Sequence, residues 1–214
     1  VRRGIALGAF VRRAALLGNR VFANGLLGID LEDLSGRGAT PNDPADPDEQ
    51  GANRLQNTPN VASASRDGGT LTVTYSVDTA PANATYPLRV EFFVADADGT
   101  EGQIFLGADT YSEADYAAGA PGARTATLDV SGVALPEGSR VLATATDAAG
   151  HTSEFSAGQP VAFVTAAADT PDEHGLRLGA PAPNPTSTRA LLTLSLAAPQ
   201  AVRVEVLDAL GRAV

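Results

Sequence analysis

The sequence predicts an all-β chain in three successive parts: the end of a parallel β-coil, an antiparallel β-sandwich, and the opening strands of a second, partial sandwich. Three observations predict it. Near the N-terminus "RRGIAL" (residues 2–7) is echoed by "LLGIDL" (residues 26–31) at a spacing of 24 residues, and fixed-period self-similarity marks stacked coils. Between residues 69 and 165, short segments alternate apolar and polar side chains, the period of a half-buried strand. After residue 178, Pro181, Pro183 and Pro185 stiffen a lead-in to two more alternating segments.

Composition agrees with short strands. The 214 residues hold 22 Gly and 14 Pro with only 5% aromatics and no Trp, so turns are frequent and the cores are aliphatic. Net charge is −10, and the sequence pI is near 4.5. All 15 basic residues are arginine. This charge balance excludes a general nucleic-acid binder, which needs clustered cations to release counterions. There is no cysteine, which excludes disulfides and thiolate chemistry. No stretch reaches the ~20 apolar residues of a membrane span. The opening "GIALGAFV" is too short and lacks a cleavage site behind it, so it is poor as a signal peptide. The first residue is Val, and an internal fragment of a longer protein is expected.

In the first part, the 24-residue coil suits a right-handed parallel β-helix, with Asn19 and Asn24 at corners, since Asn tolerates left-handed backbone angles. An amphipathic helix over "AFVRRAALLGNRVF" is the alternative, weakened by Gly4, Gly8, Gly18, Gly25 and Gly28. In the second part, strands are expected at "TLTVTYSV", "PLRVEFFV", "QIFLG", "TATLDV", "SRVLATAT", "TSEFS" and "PVAFV", with "ADADGTEG" and "TDAAGHTS" as hairpin loops. Residues 166–178 read as an acidic linker. In the third part, "ALLTLSL" and "AVRVEVLD" alternate, and "DALGR" turns toward another strand.

Residues 18–61 resemble the closing segment of bacterial surface proteins with right-handed β-helix repeats, where a GN-I-x-x-N-G-x-x-GIDL coil runs into a TPND-x-x-D-x-D-x-G-x-N-x-LQN-x-P exit loop. The block from "RVEFFVADADGTEGQIFLG" to "VLATATDAAGHTSEFS" is similar to the immunoglobulin-like module that follows such β-helices, with His151 where Asn is usual. From residue 179, the chain looks like the start of a type IX secretion C-terminal sorting domain, matching that family at Pro183, Asn184, Pro185, Val202, Val204, Val206, Asp208, Gly211, Arg212 and Val214. The family's domain has several more strands, so about half of it is expected here. The resemblance implies four segments: terminal β-helix coils and exit loop at 1–61, an immunoglobulin-like sandwich at 69–165, the linker at 166–178, and the partial sorting domain at 179–214.

No cofactor is expected, with calcium the one candidate. Asp43, Asp46 and Asp48, with Asn42, offer the oxygen ligands that this hard cation takes. They lack the Gly and distal Glu of an EF-hand loop, and a Pro-stiffened acidic surface loop is the alternative. Asp96, Asp98 and Glu101 at a hairpin tip are the weaker cation candidate, and hairpin chemistry explains them. His151 is read as a solvated turn residue. Asp30, Glu32 and Asp33 are the only acidic residues of the two coils, so no catalytic role is expected of this chain. The resemblance implies a secreted or outer-surface protein, handled by the type IX outer-membrane translocon, serving export and display or adhesion, with surface glycans as candidate ligands. The alternative is the accessory region of a β-helix polysaccharide lyase or hydrolase whose site lies upstream.

Overall fold

The computed structural model describes residues 3–164, 176–179, 193–196 and 201. The chain divides into two compact units, Val1–Val164 and Thr165–Val214. The described residues are nearly all β or irregular, as composition requires.

The first unit opens with two short strands, β1 (Ile5–Leu7) and β2 (Ile29–Leu31). They pair in parallel, Ile5 opposite Ile29 and Leu7 opposite Leu31. That register is the 24-residue spacing of the sequence echo. The two turns approach closely at Gly4, where a Cβ would overlap the Gly28 carbonyl oxygen. The connection is extended and irregular, not helical. Left-handed residues at Arg13 (φ 59°), Gly18 (φ 64°) and Ala23 (φ 57°) interrupt any helix. The corners therefore fall one residue before those expected. Asn19 and Asn24 follow the left-handed residues and brace them, each Nδ2 donating to the carbonyl two residues back, Leu17 and Phe22.

Seven strands follow: β3 (Asn60–Asp67), β4 (Thr70–Ser76), β5 (Leu88–Ala95), β6 (Gly102–Tyr111), β7 (Arg124–Asp129), β8 (Arg140–Thr146) and β9 (Gln159–Phe163). They form one sheet in the order β6-β5-β8-β9-β3-β4-β7. All neighbours are antiparallel except β3 and β9. The edge strands meet, with Leu128 of β7 against Gly107 of β6, so the sheet is nearly closed around its core. Leu71, Val73, Tyr75, Val90, Phe92, Tyr111, Val141 and Ala143 fill that core. Tyr75 and Phe92 pack edge to face at 5.2 Å, the favoured aromatic geometry.

Two strand expectations are corrected. β3 was not foreseen, because it buries only Val61 and Ala64, with a bulge between Val61 and Ser63 that breaks the alternation. "TSEFS", expected as a strand, is not one; only Thr152 bridges Thr146. Its hydroxyls instead take over a strand's role, Ser153 Oγ and Ser156 Oγ accepting the N–H groups of Ala145 and Ala143. A short helix, α1 (Glu113–Ala117), also escaped notice; Ser112 and Asp115 close a capping box on it.

β5 and β8 are buried on both faces. Phe92 points into the main core and Phe93 into an outer cluster with Ala95, Leu142, Phe105 and Phe155. The segment 3–58 covers that outer face. Phe155 packs on Phe93 at 5.4 Å and also against the small core of Ile29, Leu31 and Ala52, so one ring joins both clusters.

In the second unit, β10 (Leu176–Leu178) pairs antiparallel with β11 (Leu194–Leu196). Residues 176–178, read as the end of a linker, are thus a strand. The sorting-motif residues Pro183, Asn184, Pro185, Val202, Val204, Val206, Asp208, Gly211 and Arg212 lie outside the described residues. Among the described residues no helix is long and apolar enough to cross a membrane.

Candidate functional site

The polar groups of the first unit gather in two places. One is the seam where segment 3–58 lies on the sheet. The other is the exit loop at residues 40–58.

Carboxylates from β5 and from loops of the sheet hold the seam by gripping backbone N–H groups. Glu91, fully buried, accepts from Gly18 N at 2.7 Å and pairs with Arg89 at 2.8 Å. Glu101, 1% exposed, accepts from Asn24 N at 2.8 Å through Oε2, while Oε1 has no partner among the described residues. Burial pushes the Glu101 carboxyl up. Asp96 accepts from Ala23 N at 3.3 Å and caps its own hairpin through Gly99 N. Glu154, within "TSEFS", accepts from Leu31 N at 2.9 Å and Thr40 N at 3.0 Å. Burial raises its carboxyl against the pull of those two bonds. Such charge-assisted bonds are the strong ones, and a buried peptide N–H needs a partner.

The contact at Leu31 makes the parallel pair asymmetric. In this register Ile29 and Leu31 turn their peptide groups away from β1. Glu154 occupies Leu31 N, and Thr40 Oγ1 donates to Leu31 O at 3.4 Å. The outer edge of β2 is closed at Leu31. On β1 the peptide groups of exposed Ala6 face outward and meet no partner among the described residues. Large exposed hydrophobics crowd the same segment: Phe10 is 87% exposed, with Leu17, Phe22, Leu26 and Leu34 also exposed.

In the exit loop the side chains of Asn42, Asp46, Asn53, Gln56 and Asn57 have internal tasks. Asn42 clasps Thr58, accepting from its N–H and donating to its carbonyl, both at 2.8 Å. Asn57 does the same for Asp43 and reaches Asp78 O. Asn53, fully buried in a left-handed turn (φ 46°), donates to Ala14 O and Thr152 O at 2.9 Å and accepts from Ala14 N at 3.0 Å. Asp46 is 4% exposed, which corrects the reading of a purely surface loop. Its Oδ2 accepts from Asn57 N, Gln56 Nε2 and Thr79 Oγ1 at 2.8–3.1 Å. Burial pushes its carboxyl up to about 6, against those bonds and with the help of the Asp43 and Asp48 charges. Asp43, Asp46 and Asp48 bring carboxylate oxygens within 4.8 Å of one another.

The remaining candidates are structural. His151 is 7% exposed, not solvated; its Nδ1 lies 3.1 Å from Asp147 Oδ2 and its N–H donates to Asp147 Oδ1 at 2.8 Å. Asp30 is buried, accepts from Gly38 N and faces Arg3 at 3.5 Å. Glu32 pairs with Arg37, and Asp33 caps Ser35 and Gly36. Asp98 makes none of these bonds, so the hairpin-tip trio is split between a cap, a seam contact and a solvent-facing residue. Sequence reasoning missed Glu91, whose signal is an acidic residue inside an apolar run, and Glu154, which stands in the polar "TSEFS" and carries no such signal. The chemistry on offer is the fixing of backbone segments and the holding of a hard cation. Comparisons with protein-family models, curated proteins and solved structures return no match to this chain.

Proposed function

We propose that the chain is the C-terminal region of a secreted or surface-displayed bacterial protein, in which residues 1–61 are the terminal coils and exit loop of a right-handed parallel β-helix. The nearly closed sheet is an immunoglobulin-like spacer, and residues 179–214 begin a type IX sorting domain addressed to the outer-membrane translocon. Its work is export and display rather than catalysis. A single observation carries the reading: β1 and β2 pair at the 24-residue repeat, with β2 capped at Leu31 by Glu154 and Thr40 and the edge of β1 open at Ala6. That is the form expected of a terminal coil. Exposed Phe10, Leu17 and Phe22 supply the apolar surface that a preceding coil would cover. Surface glycans are the proposed ligands of the displayed protein.

Antibodies raised against residues 60–164 test the reading on intact source cells. Labelling of intact cells, or recovery of the protein from the medium, is the expected result. Antigen confined to the cytoplasmic fraction refutes it.

A further inference from the structure

We propose that Asp43, Asp46 and Asp48 bind one divalent cation of the calcium class, which locks the exit loop onto the segment following β4. The proposal is independent of the export reading.

The carboxylates lie within 4.8 Å of one another, a separation bridged by one cation holding oxygens at ~2.3–2.6 Å. Three negative charges so close repel unless something neutralises them. Among the described residues no arginine or histidine pairs with any of the three. Arg54, six residues beyond Asp48, donates to the main-chain carbonyl of Asp48 and not to its carboxylate.

Two further observations point to a ligand. Asp46 is 96% buried by its 4% exposure, and all three of its donors converge on Oδ2. Oδ1 of that buried side chain is left with none among the described residues. Asp43 Oδ1 is likewise sealed from solvent and has no hydrogen-bond partner. A sealed carboxylate oxygen without a donor is costly, and a cation is the partner that would satisfy Asp43 Oδ1.

The donor set selects the class of ion. It is all oxygen, with no His or Cys, which disfavours zinc. The carboxylates come from an irregular loop that also offers main-chain carbonyls, which suits calcium better than the strict octahedron of magnesium. Asp46 is already tied to Gln56, Asn57 and Thr79. A cation there would therefore couple the loop to the chain entering the sheet beyond β4.

The test is isothermal titration of the chelator-treated 214-residue chain with CaCl2 and, separately, MgCl2, together with thermal unfolding in each salt. The expected result is one calcium per chain with Kd at or below about 1 mM, the weak end of protein calcium sites. At about 100 Kd the melting temperature rises by about 5–10 °C. Asp48→Asn, at the more exposed ligand, abolishes the heat and the rise and leaves the metal-free melting temperature within about 2 °C. Asp43→Asn gives the same result and serves if Asp48→Asn does not fold. Absence of heat and of a thermal shift in about 10 mM CaCl2 overturns the proposal. So does a folded variant that binds calcium as the parent does, or binding tighter for magnesium than for calcium.

Discussion

Replacing Asn53 by Ala removes the staple between the first coil, the exit loop and the sheet. Its Nδ2 donates to Ala14 O and Thr152 O and its Oδ1 accepts from Ala14 N. The two Ala14 bonds are half-buried, worth about 1 kcal/mol each, and the fully buried Thr152 bond is worth about 2 kcal/mol because its carbonyl is left unpaired. Asn53 also sits at φ 46°, ψ 29°, where an Ala is less at ease than Asn by a few tenths to about 1 kcal/mol. The loss is about 4–5 kcal/mol, a fall in melting temperature of about 8–20 °C for a unit of this size. Urea unfolding of the chain reads the loss, and amide exchange at Ala14 locates it. Asn53→Gly relieves the backbone angle but not the bonds, and is expected to recover no more than about 1 kcal/mol. If Asn53→Ala unfolds within about 1 kcal/mol of the parent at the same denaturant slope, the seam is not held by these bonds and the reasoning fails.

Stability is expected to peak at about pH 4, between two opposing sets of carboxyls. Glu101 and Glu154 are raised by burial above the ordinary 4.5. The folded chain binds their protons more tightly than the unfolded chain, and that contribution is lost as pH rises through the raised values. Asp109, Asp115 and Asp147 are held below 3.8 despite burial, by Arg124, by Ser112 and Arg124, and by His151; their contribution is lost as pH falls below that value. Melting temperature against pH checks this, and Glu154→Gln flattens the neutral limb while leaving the acid limb in place. Gly28→Ala would bring a Cβ to 3.0 Å from the Phe155 ring and 3.2 Å from Glu101 Cγ. It is expected to cost about 1–3 kcal/mol in urea unfolding. Arg124→Ala loses a two-pronged pair with Asp109 at 2.7 and 3.0 Å and a contact with Asp115 at 3.2 Å. Because the side chain is 34% exposed, the expected loss is only about 1 kcal/mol, read by the same assay.

Strands with clean period-2 alternation were legible. "TLTVTYSV" and "TATLDV" became β4 and β7 because their apolar residues all face one core. β3 was not, since a bulge and small side chains erase its period. The adjacent Phe92 and Phe93 carried an unread message: two neighbouring buried aromatics on one strand require that both faces be covered. The three aspartates were legible by spacing, but the depth of Asp46 was not. The seam was illegible for a different reason. Its bonds join side chains to peptide groups far along the chain, Gly18 to Glu91 and Leu31 to Glu154, and no local pattern encodes such pairs.

The unlike edges of the β1–β2 pair bear on how such a chain behaves in a crowd. A surface whose two ends fit each other propagates, copy upon copy, into a filament. Here the end bearing β2 is capped at Leu31 by a glutamate and a threonine hydroxyl, so a molecule docked at the open end offers no matching place for the next. Growth halts after one addition, and a sticky strand edge is confined to a single, finite encounter.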